Sequence, residues 1–119
     1  MRKTPAAPNP FLGRWRITHM DQWEQDFVDA EVEGYVEFAD NGSGEFQFGY
    51  VSGGMDCRLS TRDGQPCEEW TWDGNDEMDP ARGRGWAIIK GDELHGLIAI
   101  HRGDESAFVA KRKVQSQKG

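Results

Sequence analysis

The sequence has few cysteines and no long apolar run, and each shortage excludes a class of protein. Two cysteines in 119 residues exclude a disulfide-rich scaffold. Hydrophobic residues make up 36% of the chain, but no segment approaches the roughly 18 apolar residues of a membrane-spanning helix. The opening MRKTPAAPNPF lacks the apolar stretch of a secretory signal peptide. We therefore expect a cytoplasmic protein with reduced thiols and no membrane partner.

Basic residues are also scarce. Lys and Arg number 14 against 21 Asp and Glu, and the net charge of −7 argues against a nucleic acid as partner. The charge is uneven, because residues 21–79 hold most of the acidic residues while the segments on either side are positive. A polarised surface of this kind suits a basic protein partner.

Glycine and aromatic residues, by contrast, are abundant. The chain holds 15 glycines, and 11% of its residues are Phe, Trp or Tyr. Helices tolerate neither well, so this composition predicts short strands joined by tight turns. Residues 13–20 alternate apolar and polar side chains as a half-buried strand does, and apolar residues then recur at intervals of three and four over 20–30. One helix therefore follows the first strand, and the rest of the chain is typical of an antiparallel meander.

Turn signals predict how the strands pair. A turn symmetrical about Gly42 places Phe38 opposite Phe46, and a second turn is predicted at 52–53. Asp63-Gly64 is the strongest hairpin signal, because a type I′ turn needs positive φ at both central residues.

The register set by Asp63-Gly64 pairs Arg58 with Glu69 as a cross-strand ion pair. It also places Cys57 and Cys67 on opposite faces of the sheet, so we expect no disulfide between them. Two cysteines and three scattered histidines lack the spacing of a metal site, and we expect neither a metal nor another cofactor.

A loop is predicted over 73–83, followed by three further strands that end near Arg112. Asp73 to Asp79 places oxygen side chains at alternate positions, as calcium loops do, but it lacks the glycine and the final glutamate of such loops. An acidic, solvated loop is the simpler interpretation. Together these elements predict an all-β fold, an eight-stranded antiparallel up-and-down β-barrel over 11–112 with disordered tails at 1–10 and 113–119.

The sequence resembles the calycin superfamily, which includes lipocalins, fatty-acid-binding proteins and avidins. The resemblance rests on Gly13-Arg14-Trp15 in the first strand, a helix before the second strand, and Lys111 or Arg112 in the last. It implies that Trp15 closes one end of the barrel and that Lys111 or Arg112 packs across it. These three residues would then be structural.

Four stretches resemble a family of small, uncharacterised bacterial proteins nearly end to end. They are GRWRITHMDQWEQD, GYVEFADNGSGEFQFG, MDCR and WTWDGNDEMDPARGRGWA. Because that family has no established activity, the resemblance implies no functional residue.

The aromatic residues of the meander are the remaining candidates for a site. Core packing explains most of them, since a small domain needs their apolar area. A sharper hypothesis is that some line a small ligand pocket near an opening of the barrel. The residues of this hypothesis are Phe46, Phe48, Tyr50, Arg58, Glu69, Trp70, Trp72 and Trp86.

We therefore expect a non-enzymatic binding protein, because no register brings a nucleophile and a base together. Its expected ligand is a small apolar or aromatic molecule in the barrel. The alternative is a protein-interaction module or inhibitor that offers an acidic surface to a basic protein. The sequence is compatible with either a monomer or a homodimer.

Overall fold

Eight strands follow one another in a computed structural model that describes residues 9–113. The strands are β1 (Gly13–Met20), β2 (Tyr35–Phe38), β3 (Ser43–Phe48), β4 (Val51–Arg62), β5 (Gln65–Asp76), β6 (Asp79–Lys90), β7 (Glu93–Ile100) and β8 (Glu105–Arg112), with the helix α1 (Gln25–Val28) between β1 and β2. Each strand pairs antiparallel with the next, and β8 returns to β1. The predicted eight-stranded up-and-down barrel is confirmed. Over residues 9–113, no helix is long and apolar enough to cross a bilayer.

The seam between β1 and β8 closes the barrel and holds the start of the described chain. Trp15 lies opposite Arg112, whose guanidinium carbon is 4.0 Å from the centre of a Trp15 ring. The same guanidinium donates hydrogen bonds to the carbonyl oxygens of Pro10 and Leu12. Trp15 Nε1 donates to the carbonyl oxygen of Phe11 at 2.9 Å. One arginine therefore ties the last strand to the segment that precedes the first.

This seam distinguishes the two basic residues that the calycin resemblance offered. Arg112 packs across Trp15, whereas Lys111 lies opposite Arg16 and approaches Glu93 at 3.8 Å. Residues 9 and 10, which the sequence assigned to a tail, pack against the barrel. Residues 1–8 and 114–119 of the predicted tails lie outside the described residues.

The helix is a single turn, shorter than the apolar spacing over 20–30 predicted. Met20 belongs to β1 and is buried in the core. At the other end, Asp29 Oδ1 accepts a hydrogen bond from the Gly34 N–H at 2.8 Å, and Asp29 Oδ2 accepts one from Arg16 at 3.1 Å. These bonds turn the chain toward β2, so the helix ends at Val28.

The register expected for the β2–β3 hairpin is wrong by two residues. Val36, not Phe38, lies opposite Phe46. The loop is centred on Asn41 and ends on Gly42, whose φ of +84° lies in the left-handed region typical of the last residue of a three-residue hairpin loop. A shift of two residues leaves every side chain on its original face of the sheet, so Phe46 still points inward.

The turn expected at 52–53 lies instead at Gly49-Tyr50. The Ser-Gly signal is misleading because Gly53 serves the core. A side chain at Gly53 would approach the Trp72 ring at 2.6 Å, so the absence of a side chain lets that ring lie on the strand.

The β4–β5 hairpin confirms the register predicted from Asp63-Gly64. Both turn residues have positive φ, 53° for Asp63 and 79° for Gly64, as a type I′ turn requires. Arg58 lies opposite Glu69, although in the described residues the two side chains do not approach within the 4.0 Å of an ion pair.

The loop expected over 73–83 is wrong, because β5 and β6 continue to a two-residue turn at Glu77-Met78. Glu77 adopts a φ of 58° without being glycine, and its N–H donates to the carbonyl oxygen of Tyr50 at 2.8 Å. That bond holds the turn against the neighbouring β3–β4 turn. Met78 is 90% exposed at the tip.

The barrel interior is filled by packed side chains. Phe46 stacks on Phe48 with ring centres 5.9 Å apart and meets Trp72 edge to face at 5.0 Å. Aromatic pairs at these distances stabilise a core beyond the area that they bury. The largest fully buried side chains are Trp15, Phe11, Phe46, Phe48, Phe108, Ile17, Leu94 and Ile98.

Candidate functional site

An open groove lies on the outer face of β4 to β7. Strand alternation turns Arg58, Glu69, Trp86 and Leu97 outward in one row across the four strands. These residues line a cavity of about 430 Å³, which is within the usual range for small-molecule sites. We call this cavity the outer groove.

Arg62 closes the end of the outer groove near the β4–β5 turn. Its guanidinium carbon lies 4.0 Å from the centre of a Trp86 ring, at the distance of a cation–π contact. Arg62 stands four residues beyond Arg58 on the same strand, so its side chain reaches back across the outer face. The contact holds the Trp86 ring as one wall of the groove.

A second cavity, of about 720 Å³, adjoins the outer groove on the side toward the β5–β6 turn. Asp56, Thr71 and Arg84 lie in one row across the sheet and line both cavities. Of the two cavities, Arg82 and His101 line the second and not the outer groove. We call Arg82, Arg84 and His101 the arginine end.

The arginines of both cavities have no carboxylate partner among the residues that the structure describes. Within residues 9–113, no Asp or Glu oxygen lies within 4.0 Å of Arg58, Arg62, Arg82 or Arg84. The arginines of β1, by contrast, bond to carboxylates at 2.7 to 3.1 Å. The guanidinium groups on the outer face are therefore free to bind an anion.

The outer groove brings together four of the predicted ligand-binding residues. Arg58, Glu69 and Trp86 form its walls, and Trp70, which is buried, contributes to its floor. The groove lies outside the barrel, however, whereas the sequence placed the pocket inside.

The other predicted ligand-binding residues lie elsewhere. Phe46, Phe48 and Trp72 are buried in the core, where Trp72 Nε1 donates to the carbonyl oxygen of Ala99 at 3.1 Å. Tyr50 is 41% exposed at the β3–β4 turn and packs edge to face on Phe27. Tyr50 does not line either of the two outer cavities.

The site residues predicted from the sequence did not include Arg62, Arg82 or Arg84. Arg82 was assigned to a loop, which hid the strand alternation that turns it to the same face as Arg84 and Trp86. The signal was present, because an arginine–glycine alternation leads directly into Trp86 over residues 82–86. In this stretch the glycines face the barrel interior, where Gly83 and Gly85 lie against tryptophan rings, and the arginines face outward.

A buried carboxyl group lies on the inner face of β5. Glu68 is 4% exposed, and its Oε2 accepts a hydrogen bond from Asn9 Nδ2 at 3.1 Å. Glu68 Oε1 and Trp70 Nε1 are both buried, and neither has a hydrogen-bond partner among residues 9–113. Burial disfavours the charged carboxylate and raises the pKa of Glu68, although the bond from Asn9 opposes this shift.

We expect Glu68→Gln to stabilise the protein at pH 7. A raised pKa in the folded state means that the contribution of Glu68 to stability is greatest below the unfolded pKa of Glu and is lost as the pH rises through the folded pKa. Gln is neutral throughout and keeps the acceptor for Asn9. The measurement is urea unfolding of both proteins from pH 4 to pH 8.

The difference in unfolding free energy between the two proteins should grow with pH across that range. Acidic groups that both proteins share, such as Asp29 and Glu33, cancel in this comparison. A difference that is constant with pH would show that Glu68 does not change protonation on unfolding.

Both thiols are held in their protonated form. Burial, with the negative charges of Glu68 and Asp56 nearby, raises the pKa of Cys57 to about 12. Burial also raises the pKa of Cys67. Neither cysteine is paired in a disulfide. In the described part of the chain, no group of three or more His, Cys, Asp or Glu side chains is placed to hold a metal ion.

Comparisons with known proteins do not assign the chain to a family. No protein-family model matches it, and no curated protein matches it at a significant level.

Proposed function

We propose that the protein is a non-enzymatic binding protein whose ligand is a planar organic anion held in the outer groove. The observation that carries this proposal is the wall formed by Trp86 beside Arg58 and Arg84, two arginines with no carboxylate partner in the described part of the chain. A planar ring stacks on an indole, and an anionic group accepts hydrogen bonds from guanidinium groups.

The aromatic ligand expected from the sequence is retained, but its place is different. Packed rings fill the barrel interior, so the site we propose is on the outer face, where Trp86 is partly exposed. The thiol of Cys57, whose pKa burial raises to about 12, remains protonated at neutral pH and is a poor nucleophile.

We also propose a structural relationship to the calycins and a cellular location for the protein. The closed eight-stranded barrel and the packing of Arg112 across Trp15 support a relationship to the calycins. We propose the cytoplasm as the site of action, because two unpaired cysteines suit a reducing compartment.

Calorimetric titration with 2-naphthoate tests the proposal. We expect saturable binding at micromolar concentrations, and weakening by about tenfold or more in Arg58→Gln, since a charge-assisted hydrogen bond is lost. The neutral analogue 2-naphthol should bind more weakly. Lys90→Gln is the matched control, because Lys90 is exposed at the end of β6 and lines neither cavity. Equal affinity of 2-naphthoate for wild type and Arg58→Gln would contradict the proposal.

A second candidate function is an interaction module for a basic protein. It is favoured by the β5–β6 turn, where Met78 is 90% exposed among Asp76, Glu77 and Asp79. An apolar side chain within a ring of carboxylates suits a lysine-rich partner. An oligolysine peptide, titrated under the same conditions, forms the second arm of the experiment. Binding of oligolysine but not of 2-naphthoate would favour this candidate.

A further inference from the structure

The two outer cavities form one trough along β6. Trp86, Arg84 and Arg82 stand at alternate positions of this strand, so all three face outward. Arg82 and Trp86 are four residue steps apart along the strand, a distance of roughly 13 Å. The trough is therefore long enough for a ligand with an aromatic ring at one end and an anionic group at the other.

The middle of the trough is chemically different from its ends. Asp56 and Thr71 line both cavities beside Arg84. A carboxylate and a hydroxyl accept hydrogen bonds from hydroxyl groups, whereas the carboxylate repels an anion. A ligand that fits this order carries hydroxyl groups between its ring and its anionic group.

The arginine end suits a single phosphate group. Arg82 and Arg84 offer two guanidinium groups, which bind phosphate oxygens in pairs, and His101 lies beside them. Asp73 lies opposite Arg82 and also lines this cavity, so it offsets part of the positive charge. The remaining charge favours one phosphate over a chain of several.

We propose that the ligand of the trough is a nucleoside monophosphate. This inference rests on the proposed function and adds the chemical class of the ligand. The base stacks on Trp86, the ribose hydroxyls donate to Asp56, and the phosphate binds Arg82 and Arg84. The class follows from the order of ring, acceptor and cations along the trough, with Trp86, Arg84 and Arg82 on β6 and Asp56 on β4. No base identity is implied.

Calorimetric titration of the full chain with adenosine 5′-monophosphate, adenosine and adenosine triphosphate tests this inference. The monophosphate should bind about tenfold or more tightly than adenosine, because only the monophosphate reaches the arginine end. It should also bind more tightly than the triphosphate. Arg82→Gln should lower the affinity for the monophosphate toward that for adenosine, because only Arg84 of the two arginines remains, and should leave adenosine binding unchanged. Lys90→Gln should change neither.

Other results of these titrations would contradict the inference, the proposed function or both. Equal affinities for adenosine and its monophosphate, or an unchanged preference for the monophosphate in Arg82→Gln, would overturn the inference. If 2-naphthoate binds but neither adenosine nor its monophosphate does, the inference fails and the proposed function stands. If 2-naphthoate does not bind either, both fail. Because Arg82 is exposed, an unchanged thermal unfolding curve is expected to show that Arg82→Gln remains folded.

Discussion

Gly83→Ala is expected to destabilise the barrel by about 3 kcal/mol, toward the upper part of the range for overpacked cores. A methyl group at Gly83 would lie 1.9 Å from the carbonyl oxygen of Ala99 and 2.8 Å from Trp72 Nε1. The first neighbour is backbone, so the contact cannot be relieved by a change of rotamer. It would also disturb the hydrogen bond from Trp72 Nε1 to that same oxygen. Urea unfolding followed by tryptophan fluorescence measures the loss.

The matched control for this substitution is Gly54→Ala. Gly54 lies in β4 of the same sheet, but a methyl group there would have no heavy atom within 4 Å. We expect the free energy of unfolding of Gly54→Ala to stay within about 0.5 kcal/mol of wild type. If both variants lost stability equally, β-propensity rather than the close approach of strands would explain the effect.

Phe46→Ala is expected to cost about 3 to 5 kcal/mol, the usual cost of removing a buried aromatic ring from a core. The ring is 1% exposed and lies between Phe48 and Trp72. A cavity left between two rigid rings cannot collapse easily, so the transfer cost and the cavity cost add. Thermal and urea unfolding of the variant measure the effect.

Tyr50→Ala is the comparison for Phe46→Ala, because the sequence proposed both residues as part of one ligand pocket. Tyr50 is 41% exposed, so we expect its loss to cost less than about 1 kcal/mol. Phe46→Ala, studied at a temperature where it is folded, should bind 2-naphthoate like wild type. A loss of affinity for 2-naphthoate without a loss of stability would show that Phe46 belongs to the binding site.

Much of the fold could be predicted from local patterns. Alternation identified β1, and Asp63-Gly64 determined the β4–β5 register because few residues tolerate positive φ at two successive positions. The misplaced turn between β3 and β4 has an identifiable cause. Glycine marks both a turn and a strand that lies under a large ring, and Gly53 could be assigned to the second class only once the Trp72 ring was placed over it.

The candidate site could be predicted only in part. Arg58 and Glu69 were assigned to the outer face of the sheet, where the structure has them, but Trp86 was grouped with the inward-facing aromatic residues. All three were assigned to an opening of the barrel, because the sequence does not show whether an interior is filled. Arg62 lies too far along β4 for pairing alone to place its guanidinium against Trp86. That contact depends on the path of a long side chain across the sheet, which periodicity does not encode.

The seam between β1 and β8 also determines the order in which the barrel can form. It joins residues that stand almost a whole chain apart, and Arg112 reaches Pro10 and Leu12 across it. The seven pairings between successive strands can form as soon as both strands of a pair have been synthesised, whereas pairing at this seam requires β8. Until then β1 has one unpaired edge, which is a site where partly made chains can pair with one another. Pairing of β8, the last strand to be synthesised, therefore covers the unpaired edge of β1.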